Sequence, residues 1–332
     1  MFSKELVWAT FTGRTPPRPP FIPYVSTVAA RLMQVPIQEM FTNATLLANS
    51  LHKCQELFGY DGVVNLFDTT LEAEACGCRL EWQQDCLPRV VSHVLADVDT
   101  KSPDISDLQR KGRLPVVIEA MKRLDLTIGR TVSLFAVVTG PVTLAKHLRG
   151  EQFWHDIASS ESGAERALEI ASQVVLEVVK IYCQLKIDVV LMADEDMPTL
   201  LPTHNRIVGA LMRTIHNIVT FHEGHLILAV REVEQKNLSA VLQLEVDGFS
   251  LGNNLALPRV REAAISKEVM LAGSINSDSL VGPVEYLERS VVQLLSQSAA
   301  SHFFITSDWE VPYATPASNI KRIMEIVTGQ GI

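Results

Sequence analysis

Val132-Ser-Leu-Phe-Ala-Val-Val138 runs into Thr139-Gly-Pro141, and a stretch of helical character follows. A short apolar run rich in β-branched residues and stopped by Gly and Pro reads as a strand buried on both faces. Pro141 then suits the first turn of a helix. The same pattern recurs along the chain. Residues 21–25 run into Ser26, 62–67 into Asp68, 189–193 into Asp194, and 217–221 into His222. Residues 246–251 run into Gly252 and Asn253, 269–272 into Gly273 and Ser274, and 303–306 into Ser307 and Asp308. Eight strand–helix units in sequence predict one α/β domain folded as a closed (β/α)8 TIM barrel. An open doubly wound sheet is the rival architecture. No G-x-G-x-x-G follows any of these strands, which removes the dinucleotide-binding version of it.

The 332 residues fit a single domain over 1–332, since such a barrel takes roughly 250 residues before insertions. Residues 68–112 have the least regular pattern and predict an irregular insertion at the barrel mouth. The proline-rich stretch 13–20 predicts extended chain. Helices are predicted over 37–58, 115–126 and, most clearly, 162–186. Hydrophobic residues make up 47% of the chain and the formal net charge is −9. That balance supplies a large core and argues against nucleic acid or anionic membrane as partners. Five cysteines, an odd number, without a secretory pattern at the amino terminus predict a soluble, cytoplasmic protein.

A barrel of this kind carries its site at the carboxyl ends of the strands, so the polar residues there are candidates. Asp68 ends the second run, and Glu72 shares a face with it if the next segment is helical. Asp194-Glu195-Asp196 ends the fourth, where three acids suit cation or metal binding. His222-Glu-Gly-His225 ends the fifth, and two histidines with a carboxylate resemble metal ligands. Asp68, Asp194 and His222 are the expected catalytic residues, with His222 also the metal ligand. Tyr24, Glu72, Asp196, Asn253, Ser274, Asn276 and Asp308 are the expected substrate contacts. Each has a plainer reading as a helix cap or a satisfied core polar group.

The stretch Phe67-Asp-Thr-Thr-Leu-Glu-Ala-Glu-Ala-Cys-Gly-Cys78 resembles the D-x-x-x-E-A-E-x-x-G segment of cobalamin-dependent methyltransferases in the uroporphyrinogen decarboxylase superfamily. Residues 112–120, 139–148 and 310–316 with Asn319-Ile320 are similar to it as well, so the resemblance runs from about Pro19 to Val327. It implies a (β/α)8 barrel and methyl transfer between a corrinoid, methylcobalamin on a corrinoid protein, and a thiol or pterin acceptor. It also implies zinc held by an H-x-C motif at one strand end and a cysteine near the last strand. His222 matches the histidine, but Gly224 and Trp309 stand at the cysteine positions, so the zinc site is expected to be altered or missing. The decarboxylase branch is the alternative. Asp68 matches its aspartate, while His147 falls at its tyrosine and Arg31 is the one arginine of its first-strand motif. A ligand-binding member without catalysis is the third reading. A monomer or homodimer is expected.

Overall fold

Where a strand ends is decided by burial, and the computed structural model describes residues 1–97, 99–252, 260–262, 264, 266–297 and 302–329. Eight parallel strands form one sheet: β1 (Phe21–Ile22), β2 (Gly62–Val64), β5 (Ser133–Thr139), β6 (Val189–Ala193), β7 (His225–Ala229), β8 (Gly248–Ser250), β9 (Met270–Ile275) and β10 (Phe303–Ser307). Their order is β1-β10-β9-β8-β7-β6-β5-β2. The two end strands meet where Asp61 N–H donates to Phe21 O at 2.8 Å, so the sheet curls into a nearly closed barrel. The expected (β/α)8 fold is the observed one.

Alternation along each strand sorts the core into two layers. Val189, Leu191 and Ala193 of β6 and Ile227 and Ala229 of β7 point into the barrel, with Val64, Phe135, Met270, Ala272 and Phe304. Val190, Met192, Leu226 and Leu228 point out to the helices. Both faces are covered, which is why these strands read as continuous apolar runs. Helix α1 (Ser3–Phe11) closes the amino-terminal end of the barrel, placing Val7 among the inward side chains.

One predicted strand is a helix. Residues 217–221 form the last turn of α10 (Met197–Phe221). Val208, Met212, Ile215 and Val219 are buried at spacings of four, three and four, the period of a helix face, while Phe221 is 83% exposed. The β-branched residues suggested a strand, but this buried stripe decides. The fifth barrel strand starts three residues after His222, at His225.

The predicted helix over 37–58 is two helices, α3 (Ile37–Thr42) and α4 (Ala44–Phe58). Asn43 separates them and caps α4 by accepting from the amides of Thr45 and Leu46 at 2.9 and 3.1 Å. The helices predicted over 115–126 and 162–186 appear as α6 (Leu114–Ile128) and α9 (Ser162–Gln184). The insertion holds the short α5 (Leu71–Ala75) and an antiparallel hairpin of β3 (Arg79–Glu81) and β4 (Arg89–Ser92). No described helix is long and apolar enough to cross a membrane.

Candidate functional site

The carboxyl ends of the strands form a mouth with an aromatic floor. Tyr24 follows β1, Phe67 follows β2 and Trp309 follows β10, and all three belong to the inward layer. Tyr24 stacks on Phe67 with ring centroids 4.9 Å apart, and Trp309 meets Phe67 edge-on at 4.8 Å. Tyr24 is fully buried within this floor, where burial pushes its hydroxyl up to about 12 against nearby Ser250 and Thr306.

Asp68 lies at the rim in a buried charge network. Its Oδ2 accepts from Arg113 Nη1 at 2.7 Å, and its Oδ1 accepts from the amide and hydroxyl of Thr70 at 2.9 and 2.7 Å. Arg113 also donates to Glu74 at 2.6 Å and lies 4.9 Å from the ring centre of Trp82, which follows β3. The hairpin thus rests on the residue that grips Asp68. Arg113 was absent from the sequence candidates. Its partner lies 45 residues upstream, and nothing local to Gly112-Arg-Leu-Pro marks that pairing.

Asp194, expected to be catalytic, points outward rather than into the mouth, because Ala193 before it points inward. Its carboxylate accepts from the amides of Val142, Thr143 and Met197 at 2.9, 3.0 and 3.0 Å and from the Thr143 hydroxyl at 2.8 Å. It therefore caps the first turns of both α7 (Pro141–Arg149) and α10. A Cβ on Gly140 would stand 2.2 Å from Asp194 Cβ, so glycine makes this approach possible. Burial pushes Asp194 up to about 7 against these donors.

Glu195 and Asp196 follow in the turn between β6 and α10. Asp196 pairs with Lys146 at 3.0 Å. Burial and Asp196 raise Glu195, while Lys146 and Arg231 lower it. Across the mouth, Asn276 caps the short helix Ser277–Val281 by accepting from the Ser279 amide at 2.7 Å. Asp308 accepts from the Ser277 amide and hydroxyl at 3.1 and 2.8 Å. Ser274 is buried near the end of β9. Asn253 lies outside the described residues.

His222 is not at the mouth. It terminates α10, is exposed, and sits at the opposite end of the barrel together with Glu223 and Gly224. Its expected roles as catalytic residue and metal ligand rested on a strand over 217–221 and fall with that strand. His225 belongs to the same end, stacked on Phe11 at 4.0 Å. The strand end that faces the mouth is instead Ala229-Val230-Arg231. The residues present do not fit a zinc ion of the H-x-C kind. The two strand ends offer Ala229, Arg231 and Trp309, none of which is a zinc ligand. Among the described residues, no group of three or more His, Cys, Asp or Glu side chains is arranged to hold a metal.

Two further carboxyls are buried at the rim. Glu72 accepts from the Thr139 hydroxyl, and Glu310 accepts from the amide and hydroxyl of Thr27 at 2.6 and 2.7 Å. Burial, reinforced by the charge of Asp68, pushes Glu72 up to about 7 and Glu310 up to about 8. An unfolded glutamate ionises near pH ~4.3. Between that value and the folded ones, the folded chain binds more protons than the unfolded chain. Stability is then fully present below about pH 4.3 and is lost as pH rises through about 7 and 8. Unfolding free energy is expected to fall between pH ~5 and ~8, with Glu72→Gln and Glu310→Gln each flattening the slope. Urea unfolding across that range reads this directly, and a profile that rises with pH rejects it.

The family model described as Uroporphyrinogen decarboxylase (URO-D) matches residues 2–330. A relative, methylcobamide:CoM methyltransferase MtbA of Methanosarcina acetivorans, is 23% identical over 175 residues. That match covers 51% of this chain and 51% of that protein, about half of either. Methylcobamide:CoM methyltransferase MtaA of Methanosarcina barkeri is 22% identical over 290 residues, covering 86% of this chain and 85% of that protein. A solved methyltransferase from Methanosarcina mazei superposes with a TM-score of 0.87 at 21% identity, covering 100% of both chains. At that identity the likeness is one of fold. With the family model spanning nearly its whole length and the strand order closing the same barrel, this chain belongs to the uroporphyrinogen decarboxylase (URO-D) family.

Proposed function

We propose that this protein is a methyltransferase that exchanges a methyl group between a corrinoid and a small acceptor, at a mouth that does not use zinc. The corrinoid is read as a substrate carried by a separate protein. The observation that carries the metal-free part is the identity of the strand ends, where Ala229, Arg231 and the buried Trp309 stand. The likeness to methylcobamide:CoM methyltransferases over most of the chain supports the methyl-transfer part.

In this reading the chain binds and orients rather than presenting a metal thiolate. The Trp309–Phe67 floor excludes water beneath the acceptor, and a dry site strengthens every charge interaction above it. The Asp196–Lys146 pair and Glu195 line the same opening and supply positioned donors and acceptors. Asp68 acts on the mouth only through the network with Arg113.

The test mixes purified protein with methylcobalamin and either 2-mercaptoethanol or tetrahydrofolate, following the corrinoid spectrum, with metal content measured on the same sample. Methyl loss that depends on acceptor, persists in chelator and accompanies sub-stoichiometric zinc is the expected result. No methyl loss from either mixture, with or without added zinc, rejects the methyl-transfer reading. Loss abolished by chelator and restored by zinc rejects the metal-free part alone.

A further inference from the structure

Arg231 occupies an unusual place for a long cation. The period of two along β7 puts Ile227 and Ala229 inside the barrel and Leu228 and Val230 outside. Continued two residues past the end of β7, the same phase puts Arg231 at the next inward position. The neighbouring strand repeats the phase, with Ala193 inward and Glu195 two residues on. The Arg231 charge lowers Glu195, the direction expected of two side chains at neighbouring strand ends. Below them the layer is small on this side, with Ala193 and Ala229, and aromatic on the other, with Phe67 and Trp309. The backbone of Arg231 is held in place. Gly252, at φ +62°, packs so closely that a Cβ there would stand 1.9 Å from Arg231 O.

We propose that Arg231 is an anion-binding residue of the mouth that holds the acceptor, a thiol or a phenol, as its thiolate or phenolate. This rests on the proposed reading of the mouth as the acceptor site. A guanidinium cannot accept a lone pair as a metal does, but its fixed positive charge favours the ionised form of an acid beside it. The step is an ionisation only. The S–H or O–H bond breaks, its electron pair stays on sulfur or oxygen, and the proton passes to solvent. Nothing is oxidised or reduced.

The other charges facing this space set the size of the effect. Lys146 adds to the positive field, but Asp196 pairs with it at 3.0 Å. Glu195 opposes Arg231 when ionised, and burial beside Asp196 favours its neutral form. Asp308, across the mouth, donates no positive charge and is engaged with Ser277. The net field at the guanidinium therefore favours an anion.

Two chromophoric probes test this on the full chain, 4-nitrothiophenol for the thiol source and 4-nitrophenol for the phenol source. Each changes colour on ionisation, so its ionisation constant in the bound state can be read without any turnover. Bound probe is expected to ionise with a constant about tenfold or more above that of free probe, the effect of a cation at close range. Arg231→Ala should abolish the gain, Arg231→Lys should keep part of it, and Glu195→Gln should enlarge it. Arg231 is exposed, so unchanged melting temperatures are expected and identify a local effect. Whichever probe shows the gain names the acceptor class. Probe that binds with equal ionisation in wild type and Arg231→Ala overturns the inference, as does failure of both probes to bind. Because the readout needs no methyl donor, an Arg231-dependent shift without methyl loss from methylcobalamin would leave this inference standing and reject the function.

Discussion

Arg113→Ala is expected to destabilise the protein by about 3–5 kcal/mol, as breaking a buried ion pair from one side does. The Asp68 side chain has no exposed surface and that of Arg113 has 4%. Removing the guanidinium leaves the Asp68 carboxylate with only Thr70 as donor, in a place water does not reach. It also releases Glu74 and removes the cation beneath Trp82. The insertion would lose its anchor along with the rim. Arg113→Lys should recover part of the loss, because an ammonium replaces the charge but cannot make forked contacts to Asp68, Glu74 and Thr70 together. Urea unfolding of Arg113→Ala, Asp68→Ala and the double variant measures the coupling. The double variant should lose clearly less than the sum of the singles. Additive losses would mean that the pair is not the unit holding the insertion. A single-variant loss under about 1 kcal/mol, the range of an exposed pair, would mean the network is solvated rather than buried.

That network marks the boundary of what the chain's pattern alone reveals. Seven of the eight barrel strands stand where apolar runs predict them, because a strand covered on both faces has no polar position to obscure it. The fifth was misplaced by one element. Asn217-Ile-Val-Thr-Phe221 has strand composition, and only the longer stripe through Val208, Met212, Ile215 and Val219 shows its helical period. That displacement carried His222 to the wrong end of the barrel. The correct strand end, with Ala229 and Arg231, lay a few residues beyond.

The site was legible by position but not by phase. Asp194 and Asp196 read as candidates at one strand end, with Glu195 between them only part of the acid cluster. Alternation through Val189, Leu191 and Ala193 shows that the residue two beyond Ala193, not the one directly beyond, faces the mouth. Asp194 is therefore a cap for two helices, and Glu195 takes the phase proposed for the mouth. Tyr24 was visible in the first strand and Trp309 only at a cysteine position of the family resemblance, and their mutual packing through Phe67 depends on three separate strand ends. The Arg113–Asp68 pair bridges an insertion of more than forty residues, and no periodicity connects such partners. The amino-terminal helix carried no signal because its buried side depends on a barrel end that only the closed sheet provides.

That end supplies the second large expected effect. Asp61→Ala should also cost about 3–5 kcal/mol, from the opposite side of the barrel. The Asp61 carboxylate is fully buried and takes Arg18 in a two-pronged pair at 2.7 and 2.8 Å. It also accepts from the Phe21 amide at 2.9 Å and the Ser3 hydroxyl at 2.7 Å. These contacts tie α1 and the entry chain to the place where β1 meets β2, whose one backbone link is the Asp61 N–H to Phe21 O bond. Alanine leaves the buried Phe21 amide without an acceptor, which alone costs about 1–3 kcal/mol. Arg18 is 22% exposed and can regain some water, which holds the total toward the lower end of the range. Asp61→Asn tests the role of charge. Its amide keeps the volume and one acceptor oxygen but presents donors to a guanidinium that can only donate, so most of the loss should remain. The contrast with the mouth is the critical point. Folded Asp61→Ala should bind the nitrophenol and nitrothiophenol probes as wild type does, since no contact of Asp61 reaches Arg231 or Trp309. A folded Asp61→Ala that has lost probe binding would show that barrel closure, and not the mouth residues, sets the geometry of the site.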